Sequence, residues 1–178
     1  MKPSLTLFDL LSDDDVAWLN SVCLPCVVAP GELIIDHSQP GGDLYIVIQG
    51  VYSVNSADGR VLGELTRGDL FGEVSFVDSK RTVARVSASS AGLLARVPKI
   101  QLVEKLNRDI PFSARFYLAV ARMLAYRLRQ NLLLGFESSK DLLSDQREFK
   151  GEVDLEGLDG TARAGARLES LLSKMNQS

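Results

Sequence analysis

The strongest constraint on this chain is the rhythm of its turn residues. Pro30-Gly31, Pro40-Gly41-Gly42, Gly50, Asp58-Gly59, Gly68-Asp69 and Gly92 interrupt the sequence about every ten residues. Between them lie the short segments CVVA, ELIID, LYIVI, VYSV, RVLGEL, TVARVSA and LLARV. Segments of this length and spacing read as strands of a sandwich or barrel. Tyr45-Ile46-Val47-Ile48 is apolar at every position, so both faces of that strand are covered and it sits centrally. Asp58-Gly59 between SVNSA and RVLGEL is a hairpin signal, because glycine supplies the positive φ of a tight turn.

The flanks have a different texture. Residues 1–24 read as short helices, with Ser12 as the cap of DDDVAWLNSV and Asp13 to Asp15 in its favourable first turn. From Pro98 the pattern turns helical again, first over 99–107. Pro111 then suits the first turn of a longer helix, where its missing N–H costs nothing. Phe116, Val120, Leu124, Leu128 and Leu132 recur every four residues along it, flanked by Tyr117 and Met123. A helix of that length carries more apolar surface than a small barrel covers, so a parallel pairing with a second copy is expected. Folding back onto its own barrel is the alternative.

Composition narrows the function. The hydrophobic content of 46% supports a real core, and the net charge of -3 lacks the basic footprint of a nucleic-acid protein. Asp9, Asp13, Asp14 and Asp15 interrupt any signal-peptide core, and no run reaches membrane-span length. A cytoplasmic protein without a membrane segment is expected. Cys23 and Cys26 form a C-x-x-C without a second pair, and His37 alone does not complete a zinc site. Two buried structural thiols are the expected reading. No nucleophile–base pair, P-loop or metal cluster stands out, so an enzyme is not expected.

The richest chemistry lies in Gly68-Asp69-Leu70-Phe71-Gly72-Glu73-Val74-Ser75-Phe76 and the following Lys80-Arg81-Thr82-Val83-Ala84-Arg85-Val86. Gly72 allows a ligand close to the backbone, and a short helix starting there offers free N–H groups to an anion. Glu73 can accept from sugar hydroxyls, and Arg81 or Arg85 can neutralise a phosphate. Equally, Glu73 can cap its own turn, and Lys80 and Arg81 can be solvated loop charges.

The order PGELI, GGDLYIVIQG, DGRVLGELTRGDLFGEVSF, VARVSA resembles the cyclic-nucleotide-binding domain of catabolite activators and of kinase regulatory subunits. The resemblance covers about residues 5–134. It implies a mainly β fold with helices, a double-stranded β-helix (jelly roll) with N-terminal helices and a long C-terminal dimerisation helix. Over the chain this gives a nucleotide-binding roll with flanking short helices at 1–110, the dimer helix at 111–136, and a charged linker with a tail helix at 137–178. The implied ligand is cyclic AMP or cyclic GMP, and the implied contacts are Phe71, Gly72, Glu73, Val74, Arg81, Thr82, Val83 and Asn131. The pattern departs at one point. Without a gap, Thr82 stands at the phosphate-binding arginine position, with Arg81 one residue early and Val83 following. A strand cannot absorb such a slip freely, but a loop shift with a bulge can. Ala125-Tyr126-Arg127-Leu128 resembles the start of the activators' dimer helix. It sets Asn131 at a base-contacting position, or alternatively as a polar residue in the dimer seam.

After Phe136, nine Asp or Glu stand against six Lys or Arg, with no helix-turn-helix pattern, so DNA binding is not expected. The stretch TARAGARLESLLSKM at 161–175 reads as an amphipathic helix that meets a partner protein. Three functions remain: a cyclic-nucleotide sensor that signals through its dimer helix to a partner, a nucleotide-free version of the fold used as a dimeric scaffold, and a sensor for another small ligand in the same pocket.

Overall fold

A computed structural model describes residues 3–78, 81, 82, 84–139 and 156–176, with 3, 130–139, 156–161, 172 and 176 described by their backbone alone. Helices α1 (Pro3–Leu10) and α2 (Asp13–Val22) precede eight strands. Ser12 caps α2 reciprocally: the Asp15 N–H donates to Ser12 Oγ at 3.3 Å, and the Ser12 N–H donates to Asp15 Oδ2 at 2.9 Å.

The strands are β1 (Leu24–Val28), β2 (Leu33–Ile35), β3 (Leu44–Gln49), β4 (Tyr52–Ser56), β5 (Val61–Leu65), β6 (Leu70–Phe71), β7 (Ala84–Ala88) and β8 (Gly92–Val97). They form two antiparallel four-stranded sheets, ordered β1-β8-β3-β6 and β2-β7-β4-β5. Strand β3 is internal to its sheet, as its unbroken apolar run predicts. Leu44, Ile46 and Ile48 face the helices, whereas Val47 faces the second sheet with Tyr52, Phe71, Val86 and Leu94. Alternation along the strand thus feeds two separate cores. The Asp58-Gly59 turn joins β4 to β5 with Gly59 at φ 85°.

Helix α3 (Lys99–Arg108) leads into α4 (Ile110–Ser139), and α5 (Glu156–Asn176) ends the described chain. Phe112, Phe116, Ala119, Val120 and Met123 of α4 are buried with Leu7 and Phe8 of α1. The every-fourth-residue row does not stay on one face. Four residues advance a helix by about 40° past a full turn. Phe116 and Val120 therefore point inward, Leu124 is half-buried, and Leu128 is 60% exposed. Ile110, Tyr117, Ala121 and Leu128 share the outer face and are exposed. The first half of the helix folds back onto its own body, the alternative weighed from the sequence, and its outer stripe stays uncovered. Among the described residues no helix is long and apolar enough to cross a membrane.

Candidate ligand pocket

The site is built on the turn after β6. Gly72 adopts φ 91°, and a Cβ there would lie 2.3 Å from the Asp43 carbonyl oxygen. Only glycine meets both demands, and the turn it makes sets where Phe71 before it and Glu73 after it stand. A single 3-10 turn, Glu73–Phe76, follows, braced by Ser75 Oγ donating to the Gly72 carbonyl at 2.9 Å. Phe71 stacks on Tyr45 at 5.0 Å between centroids.

Glu73 is 1% exposed, and its carboxylate accepts from the Arg127 guanidinium of α4. The same guanidinium donates to the Leu70 carbonyl. Burial raises the Glu73 carboxyl above its ordinary value of 4.5, and the Arg127 charge opposes that rise without cancelling it. Beside this pair lies a cavity of about 530 Å³. Ile35, Val54, Leu65, Phe71, Ala84 and Val86 supply its apolar wall, and Tyr126 and Arg127 of α4 border it. Its ionisable lining is mixed, with Glu64, Glu73 and Asp78 against Arg81 and Arg127.

The structure brings Phe71, Gly72, Glu73, Val74, Arg81 and Thr82 to this one cavity. Val74 stands at the rim, 51% exposed. Arg81 borders the cavity, with Nη1 donating to the Ser38 carbonyl at 2.7 Å. Thr82 stands where an arginine was expected, and its hydroxyl donates to the Asp36 carbonyl at 2.5 Å. Its backbone pairs with the same loop, through Ser38 N–H to Thr82 O at 2.8 Å and Thr82 N–H to Gln39 O at 3.0 Å. Position 82 is thus spent on fastening the loop before β3, and Arg81 joins Arg127 of α4 as a guanidinium bordering the pocket. Arg85 is drawn away to Asp36 at 3.1 Å and does not line the cavity. Val83 and the Asn131 side chain, both expected contacts, lie outside the described residues.

Two further expectations are corrected. Cys23 is buried, but Cys26 is only half-buried, because β1 forms the edge of its sheet. The tail helix is longer than its sequence pattern indicated, and its apolar face is not open to a partner. Ala164, Leu168, Leu171 and Met175 are buried in the same cluster as α1 and α2. Among the described residues no group of His, Cys, Asp and Glu could hold a metal.

Sequence reasoning missed the central pairing, Glu73 with Arg127. The signal was present: Phe116, Val120, Met123 and Arg127 follow the i, i+4, i+7, i+11 spacing of one helix face. The face that buries Phe116 therefore delivers Arg127 inward.

The β-roll thus borders a ligand-sized cavity, and a helix carries charge to its mouth. Residues 25–109 match the family model described as the cyclic nucleotide-binding domain, and over that stretch the chain belongs to the family. It is 28% identical over 102 residues to the cAMP-dependent protein kinase regulatory subunit of Mycosarcoma maydis, 56% of this chain and 19% of that protein. It is 30% identical over 123 residues to Glutaminase 1 of Bradyrhizobium diazoefficiens, 68% of this chain and 20% of that protein. The chain thus spans about one fifth of the length of these curated relatives. The solved N-terminal domain of a transcriptional regulator from Streptomyces coelicolor A3(2) is similar at 28% identity and TM-score 0.57, over 79% of this chain and 95% of that one.

Proposed function

We propose that this chain is a regulatory module, not a catalyst, whose roll takes a cyclic nucleotide and whose α4 helix reports occupancy. The observation that carries this reading is Arg127 of α4 seated on the buried Glu73 of the pocket. A ribose hydroxyl entering the cavity would donate to Glu73 and compete with Arg127 for it. Arg81, at the rim, would turn from the Ser38 carbonyl to the phosphate. A buried phosphate without a guanidinium would be costly, and Arg81 is placed to supply it. Release of Arg127 would change where α4 lies against the roll, which is a shift between two states set by differential affinity.

The output would pass through α4. The exposed stripe of Ile110, Tyr117, Ala121 and Leu128 has the character of a two-helix seam, which supports a homodimer that would act on a downstream protein partner. The acid-rich sequence after Phe136 disfavours direct DNA contact. The soluble family and the absence of an apolar span among the described helices agree with a cytoplasmic site of action.

A second reading, a nucleotide-free scaffold, is favoured by one observation: both arginines lining the cavity already have protein partners. Calorimetric titration with cyclic AMP and cyclic GMP separates the two. The sensor reading expects micromolar binding that Glu73→Ala and Arg81→Ala each abolish. No heat at millimolar nucleotide leaves the scaffold.

A further inference from the structure

Helix α5 is fastened to the body of the protein by more than its apolar face. Arg167 Nη1 donates to the carbonyls of Phe8 at 2.6 Å and Leu11 at 2.7 Å, acceptors that the C-terminal end of α1 leaves without intrahelical donors. The same guanidinium pairs with Asp13 in the first turn of α2. Lys174 donates to the Asn20 carbonyl, and beside it Asn20 Oδ1 is buried with no hydrogen-bond partner among the described residues. A docking site that leaves a buried acceptor unpaired is held less tightly than its apolar contacts alone would make it.

Two contacts connect this dock to the pocket. Arg67, in the turn before β6, donates to Glu169 of α5 at 2.8 Å. The Gly68 carbonyl of that turn accepts from the Ser4 N–H of α1 at 3.2 Å and from the Ser4 hydroxyl at 2.5 Å. Immediately afterwards, Leu70 O and Glu73 hold Arg127 of α4. Helix α1 touches both α4 and α5. The stretch from Arg67 to Glu73 therefore grips α5, α1 and α4 in turn.

We propose that α5 is an intramolecular strap coupled to the Arg127–Glu73 contact: its docking on α1 and on the Arg67 turn holds α4 where Arg127 meets Glu73. Loosening either contact loosens the other, because a coupling free energy between two sites is reciprocal. Only the ligand half of this device rests on the nucleotide reading above. The coupling of strap and latch stands on contacts within the chain itself.

Cys23 reads the strap directly. It is 4% exposed and shares its cluster with Leu19 and Met175. Burial pushes its thiol up to about 12, with nearby Lys174 acting in the opposite direction. In a full-length Cys26→Ser chain Cys23 is the only thiol, since the sequence has two cysteines. Its rate of modification by a maleimide then reports undocking of α5. Added Arg167→Ala is expected to raise that rate about tenfold, the loss of charge-assisted bonds from one guanidinium. Arg127→Ala, at the pocket, is expected to raise it by a few-fold. Tyr52→Phe, which removes a hydrogen bond inside the roll to the Gln49 carbonyl, serves as the stability control and is expected to leave it unchanged. An unchanged rate in Arg127→Ala, or a rise in Tyr52→Phe equal to it, overturns the coupling. An unchanged rate in Arg167→Ala overturns the strap itself. If Arg127→Ala accelerates modification and neither cyclic AMP nor cyclic GMP does, the strap stands and the nucleotide reading fails.

Discussion

Helix α4 carries two arginines that each meet a buried carboxylate, and the two pairs have opposite characters. Arg115 and Arg127 are twelve positions, about 18 Å, apart on the helix. Arg115 holds Asp15 through two hydrogen bonds, at 2.6 and 3.0 Å. Asp15 also accepts from the Ser12 N–H in the first turn of α2. Burial alone would raise the Asp15 carboxyl, but the Arg115 and Ser12 hydrogen bonds outweigh it and hold it below its ordinary value. Glu73 has the reverse balance, since burial dominates and its carboxyl is raised. The Asp15 pair is closed in on itself and braces the N-terminal helices. The Glu73 pair borders a cavity and carries an uncompensated desolvation cost, and in the proposed reading it is the pair that exchanges its partner. The two carboxylates are alike in charge and in surface exposure, but Glu73 lies deeper in the protein. The number of hydrogen bonds to the carboxylate, and the space beside it, separate a brace from a site.

The comparison breaks most visibly in stability. Asp15→Ala is expected to cost about 3 kcal/mol, because Arg115 loses its buried partner and α2 loses half its cap. Glu73→Gln is expected to cost under about 1 kcal/mol, since the amide avoids the desolvation of a buried charge. Chemical denaturation of the two variants checks this ordering, and equal losses would erase the distinction. Affinity should show the reverse. Glu73→Gln is expected to weaken cyclic-nucleotide binding by about ten- to a hundredfold, the loss of a charged hydrogen bond. An Asp15→Asn chain, titrated below its unfolding transition, is expected to bind as the parent does. Ser12→Ala sharpens the brace side, with an expected cost of about 1 kcal/mol for a lost cap and unchanged affinity. The smallest effects are in pH dependence. Asp15 contributes stability above its ordinary value of 3.8, lost as pH falls through its lowered folded value. Glu73 contributes stability below 4.5, lost as pH rises through its raised folded value. Removing Asp15 should therefore flatten the acid limb of the stability curve, and Glu73→Gln should flatten the decline that begins above 4.5.

The cap of the brace was legible in the sequence but its Arg115 partner, 100 residues on, was not, and only half of the site was. Ser12 followed by Asp15 is a local capping pattern, and Asp58-Gly59 and the run Tyr45 to Ile48 encode their own turn and strand. Gly72-Glu73 announces itself because backbone geometry demands the glycine. The partner of Glu73 lies 54 residues on, and only helix phase links the two. The every-fourth-residue row in α4 pointed to a single seam because it ignores the drift of helix phase, which turns Phe116 inward and Leu128 outward. Thr82 could not be assigned from spacing alone, since its hydroxyl is claimed by the Asp36 carbonyl of a distant loop. The amphipathic pattern of the tail was correct, but a pattern does not say which surface covers it. Arg163 with Asp9 and Arg167 with Asp13 direct α5 to its own N-terminal helices.

The most direct test of the account is the affinity of cyclic AMP for three full-length chains: the natural sequence, Glu73→Gln and Arg127→Ala. If Glu73 is the group that a ligand and Arg127 compete for, removing Arg127 tightens binding and removing the Glu73 charge weakens it. Equal affinities across all three chains would contradict that claim, because neither residue would then touch the ligand.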